Sequence, residues 1–197
     1  MQACLLRFKI SKRRLQYLAF GVAAFLIAYS AGAAVPMSDK EAEEVRKQFS
    51  EQIEGIDQNG IFLNNIRIAG FMFIPAFGVA FGIFAGFATG SVFSALANSS
   101  PMLSGVPPLA ILITPFGIME VVAYGLMMSR SGMLIVRLVK DRPWQAGSSR
   151  HFLEGSLVPA FIELGIAAGV LFVAAVIEWY MIEQLGGLDK SIIIDPV

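Results

Sequence analysis

Two residue types that carry much of protein chemistry are almost missing from this chain. It has one cysteine, Cys4, and one histidine, His151, in 197 residues. A single cysteine excludes an intramolecular disulfide framework and a cysteine-based metal site within one chain. A single histidine in a polar stretch leaves histidine-rich metal sites and Ser-His-Asp chemistry without support. Charge is scarce too, at 15% of residues against 56% hydrophobic. Soluble domains carry about 25% charged residues, so the composition fits an integral membrane protein. The net charge is zero, yet the charges come in blocks. The basic blocks flank apolar runs and read as topology signals; nothing points to nucleic acid.

What is present is a series of apolar runs. Arg7, Lys9, Lys12, Arg13 and Arg14 precede an uncharged run from Leu15 to Val35. Such a run makes about 30 Å of helix, enough to span a bilayer, and the bases before it predict a cytoplasmic N-terminus. Ala24, Ala28 and Gly32 share one face, which suits helix packing. A cleaved signal peptide is the alternative, since Ala31-Gly32-Ala33 fits an A-x-A site.

Residues 36–60 are an amphipathic insert, expected outside the cytoplasm, with a helix over 38–56. Ser38-Asp39-Lys40-Glu41 has capping-box spacing, and Ala42, Val45, Phe49, Ile53 and Ile56 form an apolar stripe. That stripe suits docking of a partner, or a helix lying on the bilayer or on its own bundle. Asp57-Gln58-Asn59-Gly60 closes it as a turn.

The second predicted span covers 61–90. In it Gly78, Gly82, Gly86 and Gly90 recur every fourth residue, a stripe against which another helix can lie closely. Residues 91–113 are apolar but broken at Asn98-Ser99-Ser100-Pro101 and Gly105-Val106-Pro107-Pro108. Read as a loop, they give four spans and place Arg130, Arg137, Lys140, Arg142 and Arg150 opposite the N-terminus. The positive-inside tendency disfavours that, so a broken crossing over 91–113 and five spans are expected. The remaining spans are 115–139, opened by Pro115, and 156–182, with Ser156 as N-cap and Gly165 and Gly169 for packing. The expected fold is thus an all-α integral membrane bundle forming a single domain.

Phe62-Leu63-Asn64-Asn65-Ile66-Arg67-Ile68-Ala69, the glycine-rich span after it, and Pro115-Phe116-Gly117-Ile118-Met119-Glu120 together resemble the stage II sporulation protein M family. The likeness covers about residues 60–182. Phe116 stands where the family often has His, and Thr89-Gly90 replaces an Asn-Gly step. The resemblance implies a polytopic membrane protein without recognised enzymatic activity. In spore formers the namesake is a scaffold for peptidoglycan-degrading partners, and relatives also occur in prokaryotes that do not sporulate.

Three carboxylates lie within the predicted spans: Glu120, Glu163 and Glu178. A lone charge in hydrocarbon costs several kcal/mol, so each is paired, protonated or functional. Arg67 enters from the side where Glu120 begins its helix, and a structural Arg67–Glu120 pair is expected. Glu163 enters from the inner side with no obvious partner and is the stronger proton or cation candidate. The leading functional expectation is a non-enzymatic scaffold or complex subunit with no cofactor or metal. It would associate with lipid and with other membrane proteins or itself; the alternative is a proton- or cation-linked transporter component.

Overall fold

The computed structural model describes residues 11–53, 55–99, 106–142 and 152–184. Among them there are six α-helices and no strand: α1 (Lys12–Ala33), α2 (Asp39–Ile53), α3 (Gln58–Phe73), α4 (Phe77–Ser99), α5 (Pro115–Asp141) and α6 (Val158–Gln184). A 3-10 turn, Pro108–Ile113, leads into α5, and a π turn, Leu153–Leu157, leads into α6. Cys4, His151, Arg7, Lys9, Arg150, most of the 144–155 connection and nearly all of the 183–197 tail lie outside the described residues.

Four helical stretches are long and apolar enough to cross a membrane: Lys12–Ala33, Phe77–Ser99, Pro115–Lys140 and Leu153–Gln184. Their number and composition fit a multi-pass membrane protein. Of these stretches, Pro115–Lys140 is 56% buried and the others 28–39%, which makes α5 the central post.

Local chemistry explains where the helices start. The Ser11 side chain accepts from the Arg14 N–H at the head of α1. At α2 the backbone and hydroxyl of Ser38 both donate to Glu41 Oε2, at 2.8 and 2.7 Å. Those two bonds hold the Glu41 carboxyl below its ordinary range, so their contribution persists at neutral pH and fades only as acid protonates Glu41. Asp57 caps α3 through the Gly60 N–H, and Thr114 caps α5 through the Gly117 N–H. Pro115 sits at the first turn of α5, where a missing N–H costs nothing. Ser156 does not cap α6; it lies buried within the π turn.

The second expected span is where sequence and structure part. Residues 61–90 are not one helix, because Pro75 lacks an N–H and drives Ile74 into an extended conformation (φ −64°, ψ 124°). Ala76 then turns the chain with φ 67°. The Ile74 carbonyl freed by the break accepts from the Ser131 hydroxyl at 2.6 Å and from the Gly78 N–H at 2.8 Å. The freed carbonyl is therefore doubly bonded, and α3 and α4 fold back as a hairpin.

The broken crossing over 91–113 is also corrected. Residues 91–99 complete α4, and Pro108–Ile113 stays at the end where α4 finishes and α5 begins. Tyr29 of α1, fully buried, pins that turn by donating to the Pro108 carbonyl at 2.7 Å.

Neighbouring side chains give the helix directions. Gly86 lies against Phe25 and Gly90 against Tyr29, so α1 and α4 run together. Gly21 faces Gly125 while Arg14 reaches Ser129, so α5 runs against α1. Phe73 meets Phe161 and Phe62 meets Phe172, which sets α6 against α3. Thus α1, α4 and α6 point one way, and α3 and α5 the other. Arg14 and Arg130 fall at the same end, as the charge argument required, but the α3–α4 hairpin supplies the reversal.

The α4 glycines are all buried. A Cβ at Gly78 would overlap the Met72 carbonyl, at Gly82 the Met128 side chain, and at Gly90 the Tyr29 carbonyl. The stripe thus winds from α5 towards α1 as it climbs. Gly32, on the small-residue face expected for α1, lies against the Phe87 carbonyl, and the facing pair Gly21–Gly125 adds a close approach that spacing did not single out. Gly165 and Gly169, by contrast, meet nothing within 4 Å and are not packing positions inside this chain. The amphipathic helix α2 rests on α4, burying Ala42 and Arg46, and Ser99 donates to the Ala42 carbonyl.

Gly90→Val therefore costs about 1–3 kcal/mol through overpacking against rigid backbone. In detergent its apparent melting temperature falls by several degrees, whereas Gly169→Val melts within about a degree of the parent. Equal melting of the two variants would contradict this packing.

Candidate functional site

Two polar clusters interrupt the apolar interior, one in the first turns of α5 and one around Ser129 and Arg130, just past its midpoint. The first is built on Glu163, one turn into α6. Its carboxylate accepts from Arg14 Nε at 2.8 Å and from Arg14 Nη2 at 2.5 Å. It also accepts from Arg130 Nε at 2.9 Å and from Arg130 Nη2. Arg14 spends its remaining fork on the Ser129 hydroxyl at 2.8 Å and the Leu126 carbonyl. One carboxylate thus joins α1, α5 and α6, with side chains only 13%, 8% and 9% exposed for Arg14, Arg130 and Glu163. Paired forks of this kind are the strongest hydrogen bonds available to a carboxylate.

Glu163 was expected without a partner and has two. The sequence did hold a signal. Arg14, Arg130 and Glu163 all lie near the same membrane boundary in the expected topology, and buried charges at one depth pair when they can. With both oxygens engaged, Glu163 is poorly placed to exchange a proton or ion.

The second cluster lies at the other end. Glu120, one turn into α5, accepts from the Asn65 side-chain amide of α3. The expected Arg67–Glu120 pair is absent among the described residues; the Arg67 guanidinium sits 5.9 Å from the centre of the Phe71 ring. Periodicity explains the difference. Ile61, Asn65, Ala69 and Met72 form the buried face of α3, and a two-residue step turns Arg67 about 200° away from Asn65. Asn64 is exposed and reaches only the Asn65 side-chain oxygen, at 3.5 Å. Glu178, half-buried near the end of α6, falls at this same end of the bundle, because α6 runs against α5. Tyr124, one turn beyond Glu120 on the same face, is buried and packs against Phe25.

Pro115, Phe116 and Gly117 place this cluster without joining it. Phe116 is buried at 7% exposure and fills space as a packing joint. A Cβ at Gly117 would overlap the Ile111 carbonyl, so glycine is what lets the 3-10 turn close onto α5. Among the described residues no three His, Cys, Asp or Glu side chains come together as a metal site.

The model of the family described as Stage II sporulation protein M matches residues 17–181. The chain belongs to the stage II sporulation protein M family. That span takes in both polar clusters apart from Arg14, the glycine stripe and the α3–α4 hairpin. No curated protein and no solved structure matches the chain.

The clamp predicts an order of damage. Glu163→Gln strands two guanidinium groups near the boundary and costs about 3–5 kcal/mol, the usual range for breaking a buried pair. Arg14→Gln leaves a one-to-one Arg130–Glu163 pair and costs less. Apparent melting temperatures in mild detergent should rank parent, Arg14→Gln, Glu163→Gln; the reverse order of the two variants would refute the clamp.

Proposed function

We propose that this member of the family is a non-enzymatic scaffold or subunit of a membrane complex, crossing the cytoplasmic membrane five times. The crossings are α1, α3, α4, α5 and α6. Helix α3 has 16 residues, about 24 Å of rise against roughly 30 Å of hydrocarbon. Its neighbours α4, α5 and α6 cover it, and local thinning absorbs a short span at modest cost. Lys12, Arg13, Arg14, Arg130, Arg137, Lys140 and Arg142 gather at one end, which the positive-inside tendency assigns to the cytoplasm. The acidic helix α2 then faces outward as a surface for a partner.

Retention of α1 belongs to the same reading. Arg14 in the clamp, Gly21 against Gly125 and Tyr29 on Pro108 make α1 part of the bundle. Cleavage after Ala33 would strip the cover from the α4 glycines and the Arg14 arm from Glu163.

The observation that carries the scaffold reading is how α6 divides its surface. One side buries Ala160, Ala167, Leu171, Ala174 and Ala175, while Gly165, Ile166 and Gly169 face outward beside Phe161 and Phe172, whose rings rest on α3. Two exposed glycines four residues apart leave room for a helix that this chain does not supply, from a second copy or another membrane protein. A transport role for Glu163 is disfavoured by its two arginines.

Purification in mild detergent, with mass determination and partner identification, tests this directly. Co-purification of a stoichiometric membrane partner or a homo-oligomer, weakened by Gly165→Leu, is the expected result. A monomer lacking partners at every detergent strength overturns it. In a Cys4→Ser background, single cysteines placed over 137–150 should label only from the cytoplasmic side. The mass of the purified chain should include α1.

A further inference from the structure

The helices around α5 form a ring that does not close. Helix α1 packs along α4, α4 along α3 and α3 along α6, and all four pack on α5. Between α6 and α1 there is no comparable packing. The gap is bridged instead by two side chains, Arg14 of α1 and Glu163 of α6, joined at 2.8 and 2.5 Å. As Arg14 crosses, it also reaches Ser129 and the Leu126 carbonyl, so the α5 face bearing those residues is the floor of the gap. Ile118 and Val122 continue that face in successive turns away from the bridge. They stay 52% and 42% exposed, although α5 is the most buried of the long helices. The gap is therefore an apolar groove with a charged bridge at one end.

The bridge carries more cation than anion. Arg14 and Arg130 share the single carboxylate of Glu163. Arg14 engages all three of its nitrogens. Arg130 spends Nε and Nη2 on Glu163, and its Nη1 has no acceptor among the described residues, although the side chain is more than nine-tenths buried. An unmet buried donor and an unbalanced charge are both costly away from water. The neighbouring positions do not restore the balance, since α1 and α5 add Lys12, Arg13, Arg137, Lys140 and Arg142 against Asp141 and Glu154. Depth matters as well. Arg14 immediately precedes the uncharged run that begins at Leu15, which sets the bridge at the level of lipid headgroups.

We propose that this groove holds one anionic phospholipid, its phosphate at the Arg14–Arg130 pair and an acyl chain along Leu126, Val122 and Ile118. Phosphate oxygens match the guanidinium fork, and basic pockets between membrane helices are suited to anionic headgroups. A zwitterionic lipid would bring an ammonium back to a site already in cationic excess. A second copy of α1 would do the same with Lys12 and Arg13. The lipid supplies the missing negative charge and covers the apolar floor, closing the ring that the protein leaves open. The inference rests on the membrane reading of the fold and is independent of the scaffold role.

The test titrates short-chain phosphatidylglycerol, short-chain phosphatidylcholine or inorganic phosphate into the full chain in a mild neutral detergent. The readout is apparent melting temperature at constant ionic strength. Phosphatidylglycerol should raise the midpoint by several degrees over phosphatidylcholine. Arg130→Lys keeps the charge but removes the open fork, and should need about tenfold more of the anionic lipid, the scale of one lost charge-assisted bond. Arg14→Gln leaves a neutral one-to-one pair and should abolish the difference between the two lipids. Lys140→Gln removes the same charge from an exposed site and should leave that difference unchanged. Val122→Trp, which fills the floor, should weaken the response without altering charge. Arg14→Gln and Val122→Trp decide the matter even if Arg130→Lys does not fold. Equal effects of the two lipids overturn the proposal, as does a response that survives Arg14→Gln. A full response to inorganic phosphate overturns the lipid as its source. Equal losses in Lys140→Gln and Arg14→Gln would reduce the effect to diffuse attraction and overturn the site. A homo-oligomer that Val122→Trp disrupts, with no preference between lipids, would give the groove to a second copy instead.

Discussion

A carboxylate gripped by two arginines holds the bundle in register. Glu163 fixes the height of α6 against α1 and α5 at once, because both guanidinium forks must meet the same two oxygens. Helices in lipid gain little from apolar contact, since the surrounding tails are as apolar as leucine. Packing and polar pairing must therefore do the work that water does for a soluble core. The clamp sets the start of α1 beside the end of α5, and from there the glycine approaches follow. Gly21 meets Gly125, then Phe25 meets Gly86, then Tyr29 meets Gly90. A shift of one helical turn at the clamp would put side chains where backbone now touches backbone.

The same constraint explains the corner at Pro75. Hydrocarbon offers no water to a broken helix, so the carbonyl freed there must find a protein donor. Ser131, fully buried on α5, supplies it, beside the arginine of the clamp. The hairpin and the clamp thus draw on consecutive residues, Arg130 and Ser131, of the central helix. Ser129 joins them by accepting from Arg14. Three neighbouring polar residues on α5 fasten α1, the α3–α4 corner and α6 at one level.

The parts of this arrangement legible in the sequence are those that a single helix decides for itself. The Ser38–Glu41 box, the Pro115 start and the buried α4 glycines follow from spacing along one element. Pairings between elements were less accessible. Arg67 was the obvious cation for Glu120, yet the phase of α3 turns Asn65 inward and Arg67 outward. Glu163 lacked a partner only because Arg14 and Arg130 lie 149 and 33 residues away in the chain. Pro75 was legible by its chemistry and was overridden by the hydrophobicity around it. Phenylalanines at 71, 73, 77 and 81 continue across the break because both arms of the hairpin are apolar; Phe71 and Phe81 even pack together across it. Hydropathy measures how much apolar surface a run carries, not how often it reverses.

Helix α5 therefore carries two polar stations of opposite kind. At the basic end Glu163 accepts from arginines on two neighbouring helices, and the charges come in a two-to-one ratio that leaves one positive charge near the boundary. At the far end the Asn65 amide of α3 donates to Glu120. A bundle that needed only rigidity would be served by an apolar residue or a second ion pair there, since well-packed hydrophobic groups stabilise as well as buried charges or better. A glutamate held there by one amide costs more to keep than a well-packed apolar residue would. The two glutamates, on α5 and α6, thus differ in what answers them: two arginines at Glu163, one amide at Glu120.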